Sequence, residues 1–242
     1  MNKSFIAGSL MLATLLAPVA SFAQHPDGAN NHFCSNLSAK TAAETTKLQT
    51  LVDRYTAKKD TRLQEIEQHR TARDAERSQH IQATDTHFDD RYATLAAKAT
   101  TPEQSAAVAA FQSVVESALT TERAAIAAAV ADYRTGVDDL INQKLTTADA
   151  RIATLTSAIN GAISQAQQDC AAGGNEATIA SAFKTAVANA RSNFKASPVS
   201  LNIKTELASL ESERQAAVDQ AVTTFKASLD SAKATLEQAF HS

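Results

Sequence analysis

The residues best suited to chemistry in this sequence are His69, His80 and His87, because imidazole binds metal ions and takes up protons near neutral pH. They are separated by 11 and 7 residues, close to whole helical turns, so a helix places them on one stripe. Neighbours on this histidine stripe would lie about 10 Å or more apart, too far for two of them to bind one ion. We interpret the stripe as a solvated charged surface, with a pH-responsive or metal-binding stripe as the alternative. The other charged residues on it are Arg62, Arg73, Glu76 and Arg91.

Two cysteines, Cys34 and Cys170, are the next candidates. In an exported chain, an even number of cysteines is first interpreted as a disulfide, and a redox-active pair would be expected at Cys-x-x-Cys spacing. Their midpoint, the mean of 34 and 170, is Pro102, which lies at a predicted turn between two helices. An antiparallel hairpin folded at that turn brings both cysteines to its open end. The sequence therefore predicts a Cys34–Cys170 disulfide.

Acid–base and nucleophilic motifs are the third class of candidate. The carboxylate pairs Asp89–Asp90 and Asp138–Asp139 are adjacent in sequence, so on a helix their side chains point about 100° apart, which suits a solvated face better than catalysis. We find no serine or cysteine in a nucleophile elbow and no glycine-rich phosphate loop. We therefore expect a protein that is not an enzyme and has no cofactor.

The N-terminus has the pattern of a secretory signal peptide, residues 1–23. Lys3 provides the positive end, residues 5–17 form an apolar run, and a small residue, Ala23, stands at the cleavage position. The apolar run is shorter than the roughly 20 residues that span a bilayer, and no other stretch approaches that length. We expect a mature chain that begins at Gln24, lacks a transmembrane anchor and is periplasmic or secreted.

The composition favours helices throughout the remaining chain. Glycine (6) and proline (4) are scarce, tryptophan is absent, and alanine supplies much of the 44% hydrophobic content. Good helix formers fill the long intervals between the few helix breakers. The expected organisation is a flexible leader at 24–35, then one bundle over 36–242. Its predicted helices cover about 36–99, 102–170, 176–196 and 202–240.

The second predicted helix has the clearest start signal. Thr101 can cap it, Pro102 suits its first position, and Gln104 completes a capping box. Gly136 interrupts its apolar seam, but a lone glycine costs only about 1 kcal/mol relative to alanine. We therefore expect an all-α, elongated antiparallel bundle or coiled coil, with two very long helices and a third broken rod. The alternative breaks the second helix at Gly136 and gives a shorter, thicker bundle.

The polar middle of the first predicted helix, residues 67–80, has only alanine as apolar side chains. We expect that helix to touch its partner over two separate patches, with a hydrated segment between them.

These features favour a non-enzymatic interaction protein that acts as a scaffold, spacer or chaperone-like surface, with protein partners. The net charge of −3 and the lack of a basic stripe with interleaved aromatic residues argue against nucleic acid as the partner. The alternative function is a helical carrier that holds an apolar ligand or lipid in an interhelical groove.

Overall fold

The computed structural model describes residues 32–196 and 203–241, and these residues form helices and turns with no strand. The all-α prediction is confirmed, and the predicted helix bounds differ from the observed ones by two residues at most. The predicted signal peptide and residues 24–31 of the leader lie outside the described residues. The helices are α1 (Leu37–Lys98), α2 (Pro102–Ala171), α3 (Glu176–Ala196) and α4 (Lys204–His241).

The start of α2 uses the predicted capping residues with one difference. The Thr101 hydroxyl accepts the N–H of Gln104 at 3.2 Å. The Gln104 side chain accepts the N–H of Thr100, at 2.8 Å, rather than that of the capping residue itself. Both interactions satisfy backbone donors near the start of the helix, which has no intrahelical acceptors for them.

The end of α2 is closed by glycine. Gly173 has a φ of +72°, a left-handed conformation that residues with a Cβ rarely adopt. Its N–H and that of Gly174 donate to carbonyls in the last turn of α2. Asn175 then caps α3, since its side-chain oxygen accepts the N–H of Thr178 at 3.1 Å.

Gly136 does not interrupt α2, which is helical on both sides of it. Leu210 of α4 packs against this position, and a Cβ added at residue 136 would lie 2.6 Å from the Leu210 Cδ2 atom. Gly136 therefore provides the space for a close approach between α2 and α4.

The described residues pack as two compact units, whereas the sequence predicts one bundle. Within the described residues, unit 1 is 32–64 with 141–196, and unit 2 is 65–140 with 203–241. Both long helices thus contribute a segment to each unit. On α1 the division falls where its polar middle begins, because that stretch has no large apolar side chain to extend a core.

Unit 1 contains two apolar clusters formed by α1, α2 and α3. In α3 the inward residues recur every three or four positions, the spacing of one helix face. Arg191 of α3 donates to Glu44 of α1 beside these clusters. The buried residues of the two clusters are Phe33, Leu37, Ala162, Ala166, Ile179, Ala180, Phe183 and Val187, and Leu48, Leu155, Ile159 and Ala190.

Unit 2 has one aromatic-rich cluster formed by α1, α2 and α4. The rings of Phe88 and Phe225 meet edge to face with centroids 6.4 Å apart, and Tyr92 meets Phe111 in the same way at 6.2 Å. Such tilted contacts are the favoured arrangement of aromatic rings. The buried residues of this cluster are Tyr92, Val108, Phe111, Val115, Leu119, Ala232 and Leu236.

Candidate functional site

The first candidate feature is the disulfide at the start of α1. Cys34 and Cys170 are bonded, with Cα atoms 5.6 Å apart, which agrees with the prediction that they meet. Beside them, Phe33 is buried, and its backbone N–H donates to the Glu176 carboxylate at 2.7 Å. Its ring lies 5.9 Å from that of Phe183. Residues 32–35, the end of the predicted leader, are therefore attached to the ends of α2 and α3.

The C-terminal end of α3 is held by an arginine from α2. The Arg151 guanidinium donates to the backbone carbonyl of Phe194, one of the last residues of the helix. It also lies over the Phe194 ring, 4.6 Å from the centroid. A cation is favoured at this end because the last carbonyls of a helix have no intrahelical donors.

The polar middle of α1, which the sequence predicts to be hydrated, is joined to α2 by solvent-accessible ion pairs within unit 2. Two bidentate pairs lie in this segment, Arg70–Asp138 and Asp74–Arg134. A third pair, Asp85–Arg123, lies just beyond it.

The three pairs share one register. In each pair the two residue numbers have the same mean, 104, as expected for partners in a single antiparallel alignment of α1 and α2. Because the two segments are antiparallel, a slip of either helix would separate all three pairs at once. We call these three pairs the ion ladder.

Asp74 is at the centre of the ion ladder. A hydrogen bond from Arg134, aided by the charges of Arg134 and Arg77, lowers the pKa of Asp74 below its ordinary value. The side chains remain accessible, 44% for Asp74 and 29% for Arg134, so solvent screens the pair. The ion ladder therefore fixes register more than it adds stability.

The histidine stripe lies on the solvent-facing side of α1. His69, His80 and His87 are all exposed, and the structure does not bring them together. Among the described residues, no three histidine, cysteine, aspartate or glutamate side chains form a group that could hold a metal ion. The stripe thus provides a line of charge rather than a coordination sphere.

Other groups with shifted pKa values are dispersed. Burial raises the pKa of Tyr55 and of Tyr92, with nearby carboxylates adding to the effect. Burial also raises the pKa of Glu122. Tyr55 lies beside Asp149, whose carboxylate adds to the shift, and within the described residues we find no nucleophile beside any of the three groups.

The outer face of α3 borders an open depression of about 710 Å³. Its lining contains small and uncharged residues with no large apolar side chain, whereas Phe183 of the same helix points into the core. This composition is a poor match to an apolar ligand. The lining residues are Ala177, Thr178, Ser181, Ala182, Thr185, Ala186 and Asn189.

Comparison with known proteins yields no match: no protein-family model, curated protein or solved structure matches the chain. Within the described residues, none of the helices combines the length and apolarity needed to cross a membrane.

Proposed function

We propose that this protein is a non-enzymatic helical interaction protein, exported to the periplasm or secreted, that serves as a scaffold, spacer or chaperone-like surface for protein partners. The ion ladder is the observation that carries this proposal. It holds α1 and α2 in a fixed register where α1, over residues 70–85, has no buried apolar side chain, although the facing part of α2 buries Ala129, Val130 and Val137. A stretch of this kind presents charged and hydrated helix sides at defined positions, as a scaffold requires.

The thin core supports the same function. Among the large side chains of the described residues, Ile159 and Val115 are the most completely buried, and seven other buried positions are alanine. Most of each helix circumference therefore faces solvent in units 1 and 2. Enzymes usually place their reacting groups in a concave, mostly apolar site, and we find no convergent set of such groups in the described residues.

Export is supported by the N-terminal pattern together with the bond between Cys34 and Cys170. Disulfides persist in oxidising compartments and are rare in the cytosol. Cell fractionation and N-terminal sequencing test this part of the proposal. We expect a periplasmic or extracellular protein that begins at Gln24, and a cytosolic chain that retains residues 1–23 would contradict it.

Site-specific photo-crosslinking in cells tests the interaction function. A photoreactive side chain at the exposed positions Ala125 and Ala182 should give discrete protein adducts that recur between preparations. The same group at the buried position Ile159 is the matched control and should give none. A lack of adducts from exposed positions on every helix would refute a protein-binding role.

Native mass spectrometry of the exported protein distinguishes the alternative function, a carrier for an apolar ligand. We expect the mass of the polypeptide alone, because the depression on α3 lacks large apolar side chains. A co-purifying small molecule in constant ratio to the chain would replace the scaffold proposal with the carrier.

A further inference from the structure

The histidine stripe is part of a longer basic face on α1. Counted at 100° per residue, eight positions between residues 69 and 98 fall within an arc of about 60°. Six of the eight are arginine, lysine or histidine, and all eight are exposed. We call this set the cationic face, and it consists of His69, Arg73, Glu76, His80, His87, Arg91, Thr94 and Lys98.

The charge of this face is opposite to that of the whole chain. With neutral histidines, Arg73, Arg91 and Lys98 against Glu76 give a net charge of +2, and three protonated imidazoles raise it to +5. The formal net charge of the chain is −3. The face is thus a positively charged strip on a chain of net negative charge, although it contains only three of the 23 lysine and arginine residues.

The neighbouring helices leave these residues available. The α1 residues of the ion ladder are Arg70, Asp74 and Asp85, which lie about 120° around the helix from the cationic face. Within the described residues, the α2 groups of the ion ladder contact these three residues and no histidine. Those α2 groups are Arg123, Arg134 and Asp138.

On α4, two ion pairs within the described residues join neighbouring turns of the same helix, Arg214–Glu211 and Lys233–Asp230. The Arg214 guanidinium also lies over Tyr133 of α2 rather than against the cationic face. Neither pair contacts the imidazoles of the cationic face.

We propose that the cationic face docks unit 2 onto a membrane surface that contains anionic lipids. A line of charges about 44 Å long on one side of a helix can meet a plane with all its members at the same time. Clusters of four to eight lysine or arginine residues are typical of proteins that bind anionic lipid surfaces, and this face reaches that number of positive side chains when its histidines are protonated. Docking on a lipid surface is independent of the protein partners proposed above.

The aromatic residues nearest the cationic face argue against nucleic acid as the occupant. Proteins that bind single strands stack bases on exposed aromatic rings. Phe88 packs against Phe225 and Tyr92 is buried, so both rings point into the core of unit 2. The face therefore offers charge without a stacking surface, which fits lipid headgroups.

A lower pH should increase the affinity of the cationic face for an anionic membrane. Exposed imidazoles generally take up protons as the pH falls from about 8 to 5, and three added charges near an anionic membrane increase the affinity about 100-fold. Salt weakens it, because the Debye length shortens to about 8 Å at physiological ionic strength.

Vesicle co-sedimentation of the chain from Gln24 tests the proposal at pH about 5.5 and 7.5, with vesicles of phosphatidylcholine that contain about 30 mol% phosphatidylglycerol. We expect binding that is stronger at the lower pH and is absent with pure phosphatidylcholine. The triple variant R73Q/R91Q/K98Q should bind at least about tenfold more weakly at both pH values. The variant H69Q/H80Q/H87Q should lose only the increase in affinity at low pH.

Glu76→Gln provides a test that does not depend on loss of function. Removal of the one acidic residue on the face should raise vesicle affinity about fivefold at both pH values. Glu237→Gln, at an exposed position on α4, is the matched control and should leave the affinity unchanged. Circular dichroism checks that every variant has the helical content of the wild type.

The control for total charge is K184Q/K195Q/K226Q, which removes three exposed lysines outside the cationic face. Equal weakening in this control and in R73Q/R91Q/K98Q would overturn the assignment to one face. Failure of the wild type to bind phosphatidylglycerol vesicles at pH about 5.5 would overturn the proposal outright. Binding to soluble heparin without vesicle binding would assign the face to a polyanionic polymer instead.

Discussion

Replacement of Cys34 by serine is expected to destabilise the protein by removing a constraint on its unfolded chain. The bond to Cys170 spans a sequence separation of 136 residues. In the chain-entropy treatment, closure of a loop of that length contributes about 5 kcal/mol to the free energy of unfolding, as an upper bound. For a protein of this size, 1 kcal/mol shifts the melting temperature by about 2–4 °C, so the expected loss is up to about 10–20 °C.

The folded contacts near the bond should survive this substitution. Phe33 remains buried against Phe183, and its N–H still has the Glu176 carboxylate as acceptor. Helical content near room temperature should therefore be unchanged in Cys34→Ser. The appropriate assay is thermal denaturation followed by circular dichroism at 222 nm, with and without a phosphine reductant.

Two controls identify the cause of the shift. Reductant should lower the melting temperature of the wild type to that of Cys34→Ser and should have no effect on Cys34→Ser itself. Cys170→Ser should behave as Cys34→Ser does, because either substitution opens the same loop. A wild type with two titratable thiols after denaturation, or a melting temperature equal to that of the variant, would refute the reasoning.

Three further predictions concern the ion ladder, the end of α3 and the contact at Gly136. Because the pKa of Asp74 is lower in the folded chain than its ordinary value of 3.8, its stabilising effect is complete above that value and is lost as the pH falls through the folded pKa. The free energy of unfolding, measured by urea titration at pH 5 and at pH 3, should thus fall less between the two pH values in Asp74→Asn than in the wild type. Asp90→Asn, at an exposed position, is the control and should lose nearly as much stability at pH 3 as the wild type does. Arg151→Ala should lower the free energy of unfolding by about 1–2 kcal/mol and should speed amide hydrogen exchange in the last turn of α3. Unchanged exchange there would show that the contact of Arg151 with Phe194 does not stabilise this end of the helix. Gly136→Ala should lower the free energy of unfolding by about 1 kcal/mol, because the new Cβ meets Leu210. In a Leu210→Ala background the same substitution should raise it, because only the higher helix propensity of alanine remains. A change of the same sign in both backgrounds would exclude this explanation.

The helix bounds could be predicted from sequence because breakers and caps are local signals. Pro102 with Thr101 marks the start of α2, and Gly173 with Asn175 marks the boundary between α2 and α3. The approach of Cys34 to Cys170 was also predictable, since it depends only on the position of one turn.

The ion ladder could not be predicted from sequence. Each pair depends on how far α1 is shifted along α2, and a slip of one residue would rotate the partners away from each other. The polar composition of residues 67–80 correctly indicated that α1 contributes no buried apolar side chain there, and the division of α1 between two units falls close to the start of this segment. The same composition gave no indication of which charges pair, because Arg70 and Arg73 are equally polar and only Arg70 faces α2.

Two residues were missed for different reasons. Phe33 was assigned to a flexible leader because its neighbours are polar, although an apolar residue next to Cys34 could have indicated packing. Lys98 was not assigned to the histidine stripe, although the first predicted helix, about 36–99, includes it. At 100° per residue it lies on the same arc as Arg91, and it is exposed.

The disulfide also limits the effect of a single proteolytic cut. Any single backbone cut between Cys34 and Cys170 leaves two fragments covalently joined through sulfur, and the polypeptide would keep its full mass on a non-reducing gel. The exposed turn formed by Thr100 and Thr101 lies inside this interval. A cut there would leave two polypeptide fragments, held together by the disulfide and by the packing of α1 and α2. Outside the cell, such a molecule would become two independent pieces only after reduction.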